Sequence, residues 1–566
     1  MAEMKSHCTR LLVAAMDFGT TYSGYAFSFR DKPLDIQTNP NWHAGSEKLI
    51  SLKNPTCVLL KPNKEFHSFG FEAENKYGDL AEDDEHHGWY FFRRFKMALY
   101  ETDNLTSATT IEDIAGKKMP ALTVFTHAVR YLKDHLLNTL DTKVTDVSIE
   151  DIQFVITVPA IWDEKAKQFM RLAATSAGIK NDQLRIALEP EAASIWCQVE
   201  TDNNLCVLSH PGSKYMVVDL GGGTADITVH QKKEDGTLKE IHKATGGAWG
   251  GNEVDKAYIE MLTKLSTTDA MQEFKTTQMA DYFDIHRDFE TKKRSIKSDD
   301  EGKVTIKIPA SLRELATKHG ATKKKDLGKD ISWTGDKLRM QSSLIRQLFD
   351  GPIQVLIKHV EDLLSDPIIE DIDAILLVGG FGECQLVNAA FRRAFYNMQL
   401  IVPNEPGLAV LKGAVRFGHL PEIVSVRVSR YAYGREVWPA FDENVHPSSK
   451  RSVQLGKPIC KEVFYKIVSV GEEIPFGKEV KTLGSAINVG QMRATINLYS
   501  SLDENPMFIT TAGCKFLGNV GFDLPDSKNL EDKNHTIFLT FGDTELKCRV
   551  VIDKTKKEVE TTIKCL

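Results

Sequence analysis

The sequence predicts an α/β protein with two similar lobes, followed by a strand-rich C-terminal region. Three observations support this prediction. Apolar strands that end in glycine turns recur at residues 17–21, 219–224 and 376–382, with helical segments between them. The first two turns lie about 200 residues apart, which suits a duplicated lobe better than a short array repeat. Strand-like segments then replace the helical pattern, so we expect one domain at residues 1–420 and another at 421–566.

Length and composition favour a soluble globular protein of several subdomains. The chain has 566 residues, more than a single hydrophobic core usually serves. Its formal net charge is −7, so the chain lacks the excess of basic residues that is typical of nucleic-acid binding. We interpret the basic run at 323–325 as a solvated loop. No apolar run reaches the roughly 18 residues of a membrane helix. The nine scattered cysteines form no Cys-x-x-Cys pair, so we expect reduced thiols and a cytoplasmic location.

The first lobe begins with an apolar run that ends in the tight turn Asp17-Phe18-Gly19-Thr20. Alternation of apolar and polar residues resumes at 22–29, which predicts a β-hairpin. In the helix that follows the next strand, Asp163 is the expected N-cap. The later elements expected in this lobe are a helix at 120–140, a strand at 152–158, a helix at 163–178, a strand at 184–188 and a helix opened by Glu189 and Pro190.

The second lobe repeats the succession of a strand, a glycine turn and a strand. The apolar run 215–219 meets the turn Gly221-Gly222-Gly223, and residues 227–230 continue as a strand. The other elements expected here are helices at 253–265, 280–297 and 385–396 and a strand at 374–378. In the C-terminal region we expect strands at 463–470, 485–489, 492–499, 536–541, 545–552 and 558–565.

Both hairpin turns combine residue types that suit a phosphate and a divalent cation. Glycine lets backbone N–H groups approach phosphate oxygens, and threonine hydroxyls add donors. An aspartate cannot face phosphate directly, so the natural partner of Asp17 and Asp219 is a divalent cation or its coordinated water. Neither turn is a P-loop, because no Gly-Lys-Ser/Thr opens a helix. One such turn is more often an ordinary hairpin, whereas the two together favour a nucleotide clamp.

Five segments resemble the actin-like ATPase domain of the 70-kDa heat-shock protein family. They are residues 17–23, 155–160, 189–190, 219–226 and 377–380. Residues 92–97 and 188–196 are similar to the divergent heat shock 70 kDa protein 12-like branch of that family. The resemblance covers nearly the whole chain and is stronger before residue 420 than after it. It implies a two-lobed actin-like fold, ATP or ADP and Mg²⁺ as cofactors, and hydrolysis of ATP to ADP and phosphate.

By position, the resemblance implies a role for each residue of the clamp. Lys96 steers the attacking water, and Glu189 orders water near the metal. The catalytic residues that it implies are Lys96, Glu189, Asp219 and Thr224. The metal-associated carboxylates that it implies are Asp17, Asp219 and Asp226. The nucleotide contacts that it implies are Gly19, Thr20, Thr21, Tyr22, Gly221, Gly222, Gly223, Gly250, Gly251, Glu290, Lys293, Arg294, Gly379, Gly380 and Phe381.

The residues expected near the adenine base depart from the family pattern. Phe381 and Glu383 stand where the family has a serine and an arginine that stacks on adenine. Losing such a stack costs about 0.5–2 kcal/mol, so we expect weaker ATP binding that Glu383→Arg tightens, unless Phe381 replaces the stack. Plain alternatives exist for three assignments. Glu189 is also explained as a carboxylate that the helix dipole favours at a helix N-terminus. Lys96 taken alone is an ordinary exposed lysine, and residues 290–294 form an ordinary charged helix face.

The C-terminal region resembles the family's β-sandwich substrate-binding domain, which implies protein or peptide partners. We expect no helical lid after its last strand, and residues 422–428 replace the family's leucine-rich acidic linker. Pro159 and Lys167 match a proline–arginine relay, but lysine lacks the planar fork of arginine. Three hypotheses follow: a slow chaperone-type ATPase, an ATP-sensing interaction protein with vestigial hydrolysis, and a small-metabolite kinase of the actin-like superfamily. The strand-rich tail argues against the kinase.

Overall fold

Two mixed β-sheets, one in each lobe, organise most of the chain. They are seen in a computed structural model that describes residues 7–43, 50–102, 104–143, 146–199, 206–321, 330–454 and 456–563. The basic run at 323–325 therefore lies outside the described residues.

The sheet of the first lobe is built around a fully buried strand, Leu12–Phe18. This strand runs parallel to Ile152–Val158 and antiparallel to Tyr22–Phe29, and it places Asp17 opposite Gly24. In spatial order the sheet contains Leu184–Leu188, Ile152–Val158, Leu12–Phe18, Tyr22–Phe29 and Gln37–Thr38, and the short strand Asn54–Pro55 also pairs with Tyr22–Phe29. The predicted hairpin and its parallel neighbours are therefore present.

Helices cover this sheet and position its edges. The Asp163 carboxylate accepts a hydrogen bond from the Ala166 amide at 3.0 Å, which confirms the expected N-cap. The main helices of the first lobe are Phe71–Glu82, Ala121–Lys143, Glu164–Ser176 and Glu189–Cys197. A smaller sheet of Phe66–Phe69, Cys57–Leu60 and Tyr90–Arg93 leads into the 3₁₀ turn Phe95–Met97, which carries Lys96.

The sheet of the second lobe has a related centre and continues beyond the expected domain boundary. In spatial order it contains Gln399–Ile401, Ala374–Val378, Lys214–Leu220, Ala225–Lys232, Leu238–Gly247, Val424–Val428 and Glu473–Pro475. The last two strands come from the C-terminal region, so the segment after residue 420 is built into this lobe. The boundary at 420 stays a prediction.

The second lobe carries more helices than the first. They are Asn252–Ser266, Thr268–Thr277, Met279–Ser295, Ala310–Lys318, Ser342–Leu364, Gln385–Ala394 and Pro406–His419. A small sheet of Lys303–Lys307, Lys337–Gln341 and Ile331–Thr334 lies beside them.

The two lobes meet through helices Glu189–Cys197 and Pro406–His419. A shared core joins Val13 of the first sheet to Val217 of the second across these helices. The helices touch closely at one point, because a Cβ added to Gly413 would lie 1.6 Å from the backbone oxygen of Ala192. This junction fixes how the two central hairpins face each other.

The C-terminal region forms two four-stranded antiparallel sheets that share one hydrophobic core. The first contains Val463–Val468, Ala432–Val437, Arg493–Ser501 and Cys514–Asp523 in spatial order. The second contains Lys478–Gly484, His535–Phe541, Lys547–Ile552 and Glu558–Thr562. A hairpin of Arg451–Gln454 and Lys457–Cys460 stands apart from both.

One expected strand in this region is wrong. Residues 485–489 form no strand, because the chain turns there and the Ile487 amide donates to the side chain of Gln491 at 2.8 Å. Ile487 and Val489 are exposed, so their apolar alternation reflects no buried face. The strand ends just before this turn, at Gly484.

Two further observations bear on the environment of the chain. Within the described ranges, no helix combines the length and the apolar character that a membrane crossing requires. Among the described residues, Cys57, Cys384, Cys460, Cys514 and Cys548 are free thiols.

Candidate functional site

The two glycine turns predicted from the sequence face each other in the cleft between the lobes. A Cβ added to Gly222 would lie 2.3 Å from the Thr21 hydroxyl oxygen, and a Cβ at Gly223 would lie 2.7 Å from that of Thr20. Distances this short leave no room for a side chain at either position. The glycines of the second turn therefore allow it to approach the threonines of the first.

The amide groups of both turns are available to an anion. Within the described ranges, no hydrogen-bond acceptor is in reach of the N–H groups of Gly19, Thr20, Thr21, Gly222, Gly223 and Thr224. The carbonyl oxygens of the second turn are occupied by the start of helix Asn252–Ser266. Their donors are the amides of Gly251, Asn252 and Gly250, at 3.1, 2.8 and 3.3 Å. Successive free amides in a turn form the concave donor set that binds phosphate oxygens.

Four buried carboxylates lie around these turns: Asp17, Asp219 and Asp226 on the hairpin strands, and Glu189 at the start of helix Glu189–Cys197. Asp17 accepts a hydrogen bond from the Thr157 hydroxyl at 2.7 Å, and Asp226 accepts one from the Ile161 amide at 3.0 Å. Asp219 has no ionic or hydrogen-bonding partner for its side chain in the part of the chain that the structure describes.

Two lysines enter this acidic cluster from the first lobe. The Lys96 ammonium donates to Glu189 at 2.6 Å, and both side chains are buried. The Lys53 ammonium donates to the second oxygen of Asp17 at 2.5 Å. The interpretation of Lys96 as an exposed helix lysine is therefore wrong, because its side chain is only 3% exposed.

The pKa values of the carboxylates depend on burial as well as on these partners, and burial raises the pKa of Glu189 to about 7 despite the Lys96 ammonium. Burial, together with the charges of Glu189, Asp226 and Asp17, raises the pKa of Asp219 well above its ordinary value. Burial also raises the pKa of Asp226, against the hydrogen bond from Ile161. Burial acts in the same direction on Asp17, but the Lys53 ammonium, together with the Thr157 hydroxyl and Lys96, holds the pKa of Asp17 below its ordinary value.

The donor set suits a divalent cation that keeps part of its water shell. Among the described residues, the only group of three ligand atoms within 4.8 Å of one another is Asp84, His86 and His87, which is a different set from the four carboxylates. The four carboxylates of the cleft are therefore too widely spaced to replace all the water around an ion. Mg²⁺ dehydrates reluctantly and is usually held in this way. The residues present thus fit the Mg²⁺ that the resemblance implies.

The residues expected beside the adenosine lie against the first turn. The Arg294 guanidinium stands 4.7 Å above the ring of Tyr22 and donates to Glu290 at 2.9 Å. Lys293 donates to Glu290 at 2.8 Å and to Asp255 at 2.7 Å. Burial works to raise the pKa of Glu290, but the two cations lower it to about 2. A cavity of about 720 Å³ beside these residues is lined by Tyr22 and Glu290 among others.

The glycine pair after the third strand packs behind the second turn. Gly379 has a φ of +82°, and a Cβ there would lie 2.4 Å from an oxygen of Asp219. This position therefore requires glycine for both conformation and space. Gly380 is different, because nothing lies within 4 Å of an added Cβ.

The two residues that depart from the family pattern are placed differently from each other. Phe381 is only 7% exposed and packs into the core of the second lobe, where its ring lies 3.6 Å from a Cβ added to Gly251. Glu383 is exposed and accepts a hydrogen bond from the Gly407 amide at 3.1 Å. The role of Phe381 in holding the base stays a prediction.

Three contributors to this site were not found from the sequence. Lys53 belongs to no motif, and only the pairing of its neighbours with Tyr22–Phe29 brings it near Asp17. The Ile161 amide is a backbone donor, so the residue type at this position does not predict it. Thr157 did leave a signal, because it is one of two polar residues, with Gln153, within the buried strand Ile152–Val158.

The carboxylates are connected by hydrogen bonds to the C-terminal region. Ile161, whose amide donates to Asp226, has a carbonyl oxygen that accepts a hydrogen bond from Arg430. Arg427 binds both oxygens of Glu191 at 2.7 Å, two residues beyond the carboxylate of Glu189. The backbone of Ile161 therefore links Asp226 to Arg430 of the C-terminal region.

A second set of contacts runs along helix Glu164–Ser176. Lys167 donates to the Thr544 carbonyl at 3.1 Å and to Glu164 at 2.9 Å. Arg171 donates from Nε to Glu545 at 2.6 Å. Although lysine replaces the arginine of the family's relay, Lys167 reaches the C-terminal region directly.

Comparison with known proteins agrees with this architecture. A family model described as Hsp70 protein matches residues 91–419, more than half of the chain, and defines an actin-like ATPase fold. The chain is 35% identical to human Heat shock 70 kDa protein 12A, over 98% of this chain and 91% of that protein. It is 34% identical to human Heat shock 70 kDa protein 12B, over 98% and 90% of the two chains. The chain therefore belongs to the Hsp70 family.

A more distant relative shows how far this branch has diverged. The chain is 23% identical to the Chaperone protein dnaK of Cyanidium caldarium, over 75% of this chain and 64% of that protein. The higher identity and fuller coverage of the 12A and 12B proteins confirm the resemblance to the divergent heat shock 70 kDa protein 12 branch.

Proposed function

We propose that this protein binds ATP with Mg²⁺, hydrolyses it slowly, and acts as a chaperone-like protein of the Hsp70 type in the cytoplasm. The main observation behind this proposal is the pair of facing turns, with their six free amides, next to four buried carboxylates. The amides suit phosphate oxygens, and the carboxylates suit a hydrated cation. Members of the Hsp70 family are ATPases, which supports the same conclusion.

Lys96 and Thr224 are the residues that we assign to the attacking water. Glu189 holds the Lys96 ammonium at 2.6 Å, so the charge of Lys96 is fixed inside the cleft. The turn amides then stabilise the negative charge that develops on the γ-phosphate oxygens. Mg²⁺, when bound, supplies further positive charge to the same oxygens. Substituting Lys96 or Thr224 should reduce turnover far more than nucleotide affinity.

Residues 421–566 are proposed to bind protein or peptide partners. Two four-stranded sheets with a shared core support a β-sandwich. Several large apolar side chains of this region are at least half exposed, which suits contact with an apolar segment of a partner. They include Tyr465, Leu483, Leu502 and Met507.

Direct contacts support coupling between the nucleotide and this output region. Asp226 and Arg430 share Ile161 as a common neighbour, one through its amide and the other through its carbonyl oxygen. Lys167 and Arg171 extend the contact to Thr544 and Glu545. Hydrolysis that changes the position of the second turn would thus act on bonds that hold the C-terminal sheets.

The test is single-turnover ATP hydrolysis by the full chain, with nucleotide affinity measured in parallel. For Lys96→Met we expect a loss of phosphate release of at least about 100-fold and a change in affinity within a few-fold. Lys118→Met is the matched control, because Lys118 is a largely exposed lysine of the same lobe. Tight ATP binding with no phosphate release from the wild type would instead assign an ATP-sensing interaction protein. Sugar-dependent ADP formation would assign a kinase.

A further inference from the structure

The ion pair between Lys53 and Asp17 is a built feature of the first lobe. The short strand Asn54–Pro55, which follows Lys53, pairs with the first residues of Tyr22–Phe29. The next residue, Thr56, donates from its amide to the Thr21 carbonyl at 2.8 Å and from its hydroxyl to the Gly19 carbonyl at 2.8 Å. The chain around Lys53 is therefore bound directly to the first phosphate turn.

Gly24 provides the path by which the Lys53 side chain reaches the carboxylate. Gly24 is the antiparallel partner of Asp17 in the hairpin. A Cβ added to Gly24 would lie 3.3 Å from Cγ of Lys53, so the lysine stem passes close over this glycine. The Lys53 side chain is 19% exposed, and its ammonium ends 2.5 Å from Asp17. A residue with a side chain at position 24 would crowd this path.

The charge of Lys53 acts on the cluster as well as on its direct partner. Together with the Thr157 hydroxyl and Lys96, it holds the pKa of Asp17 below its ordinary value against burial, and it offsets part of the repulsion around Asp219. Asp17 also lies two residues before the first free amide of its turn. A phosphate bound by that turn therefore meets a carboxylate whose charge is already compensated.

We propose that Lys53 is a nucleotide-binding residue that supplies, as a fixed ammonium group, part of the positive charge that Mg²⁺ otherwise provides. The proposal rests on the proposed ATP binding and deepens it. Nucleotide binding should then depend only weakly on the metal. Because coupling between two ligands or charges is reciprocal, removing Lys53 should make nucleotide binding depend strongly on Mg²⁺.

The experiment compares nucleotide affinity with Mg²⁺ and with a chelator, by calorimetry on the full-length chain. Its readout is the ratio of the dissociation constant of ATP without Mg²⁺ to that with Mg²⁺, which needs no hydrolysis. For Lys53→Met we expect this ratio to rise at least about tenfold over the wild type, because a nearby unit charge contributes at least this much in a partly solvated site. In the presence of Mg²⁺, affinity should stay within a few-fold.

The matched control is Lys61→Met, because Lys61 lies in the same lobe and pairs with the exposed Glu65. That variant should keep the wild-type ratio. Binding of ATP with Mg²⁺ shows at the same time that each variant is folded. A ratio for Lys53→Met equal to that of the wild type would overturn the proposal. No binding of ATP by the wild type with Mg²⁺ would overturn the proposed function itself.

Discussion

The two central hairpins have matching backbones but opposite electrostatics. Asp17 and Asp219 each end a buried strand before a turn. Opposite Asp17 the register places Gly24, which admits the Lys53 stem, whereas opposite Asp219 it places a second carboxylate, Asp226. One aspartate is therefore neutralised by the protein, and the other has no partner among the described residues. The repeated motif thus fixes the position of each carboxylate, and the neighbouring residues decide whether its charge is compensated.

The two turns also differ in their side chains, and the difference lets them approach each other. The first presents threonine side chains, and the second presents two glycines, Gly222 and Gly223, at closest approach. We expect Gly222→Val to lower ATP affinity at least about 100-fold, because its side chain must displace Thr21. Calorimetry measures the loss. Gly78→Ala, at an open helix position, is the control and should leave affinity unchanged.

The two aspartates should respond to the same substitution with opposite signs. Asp17→Asn should lower the free energy of unfolding by about 1–3 kcal/mol, because it leaves the Lys53 ammonium without its partner. Asp219→Asn should raise the stability of the metal-free protein by about 1 kcal/mol, because it removes a repelled charge. Urea denaturation in the presence of a chelator measures both. A loss of similar size in the two variants would contradict the comparison.

A substitution near the expected position of the adenine base should change ATP affinity less. Glu383→Arg should tighten ATP binding by several-fold, up to about 30-fold, because a guanidinium can stack on adenine. The substitution also gives up the hydrogen bond from Gly407, which limits the gain. Calorimetry with ATP and with inorganic triphosphate separates the contribution of the base. An equal gain in affinity for both ligands would show that the tighter binding comes from the added charge and not from stacking on adenine.

The pH dependence of stability should also separate the two hairpins. Since the pKa of Asp219 is raised in the folded state, its contribution to stability declines as pH rises above about 3.9, the value for an unfolded aspartate. The stability gained in Asp219→Asn should therefore grow between about pH 5 and about pH 8 without metal.

Asp17 follows the opposite rule. Its pKa is lowered in the folded state, so its contribution is complete above about pH 4 and is lost as pH falls further. The stability lost in Asp17→Asn should therefore be constant between about pH 5 and about pH 8. Thermal denaturation across this range, with a chelator present, measures both differences. A flat profile for Asp219→Asn would show that Asp219 is not held under repulsion.

Much of the candidate site could be predicted because the relevant signals are local. The turns at Gly19 and at 221–223 follow apolar strands, and both the strands and the hairpins were expected at nearly the observed bounds. The strand expected at 485–489 failed because Ile487 and Val489 alternate on an exposed turn. Alternation alone does not reveal whether a buried face exists.

The amino-acid sequence by itself determined the two glycine turns and the aspartates that precede them. Residue type was sufficient for this, because glycine admits the close backbone approach and a carboxylate suits a divalent cation. The tertiary structure alone decided that Asp17 is neutralised by Lys53 and that Asp219 is not. It also built Val424–Val428 into the sheet of the second lobe. Both depend on strand pairing between segments far apart in the chain, which no local pattern encodes.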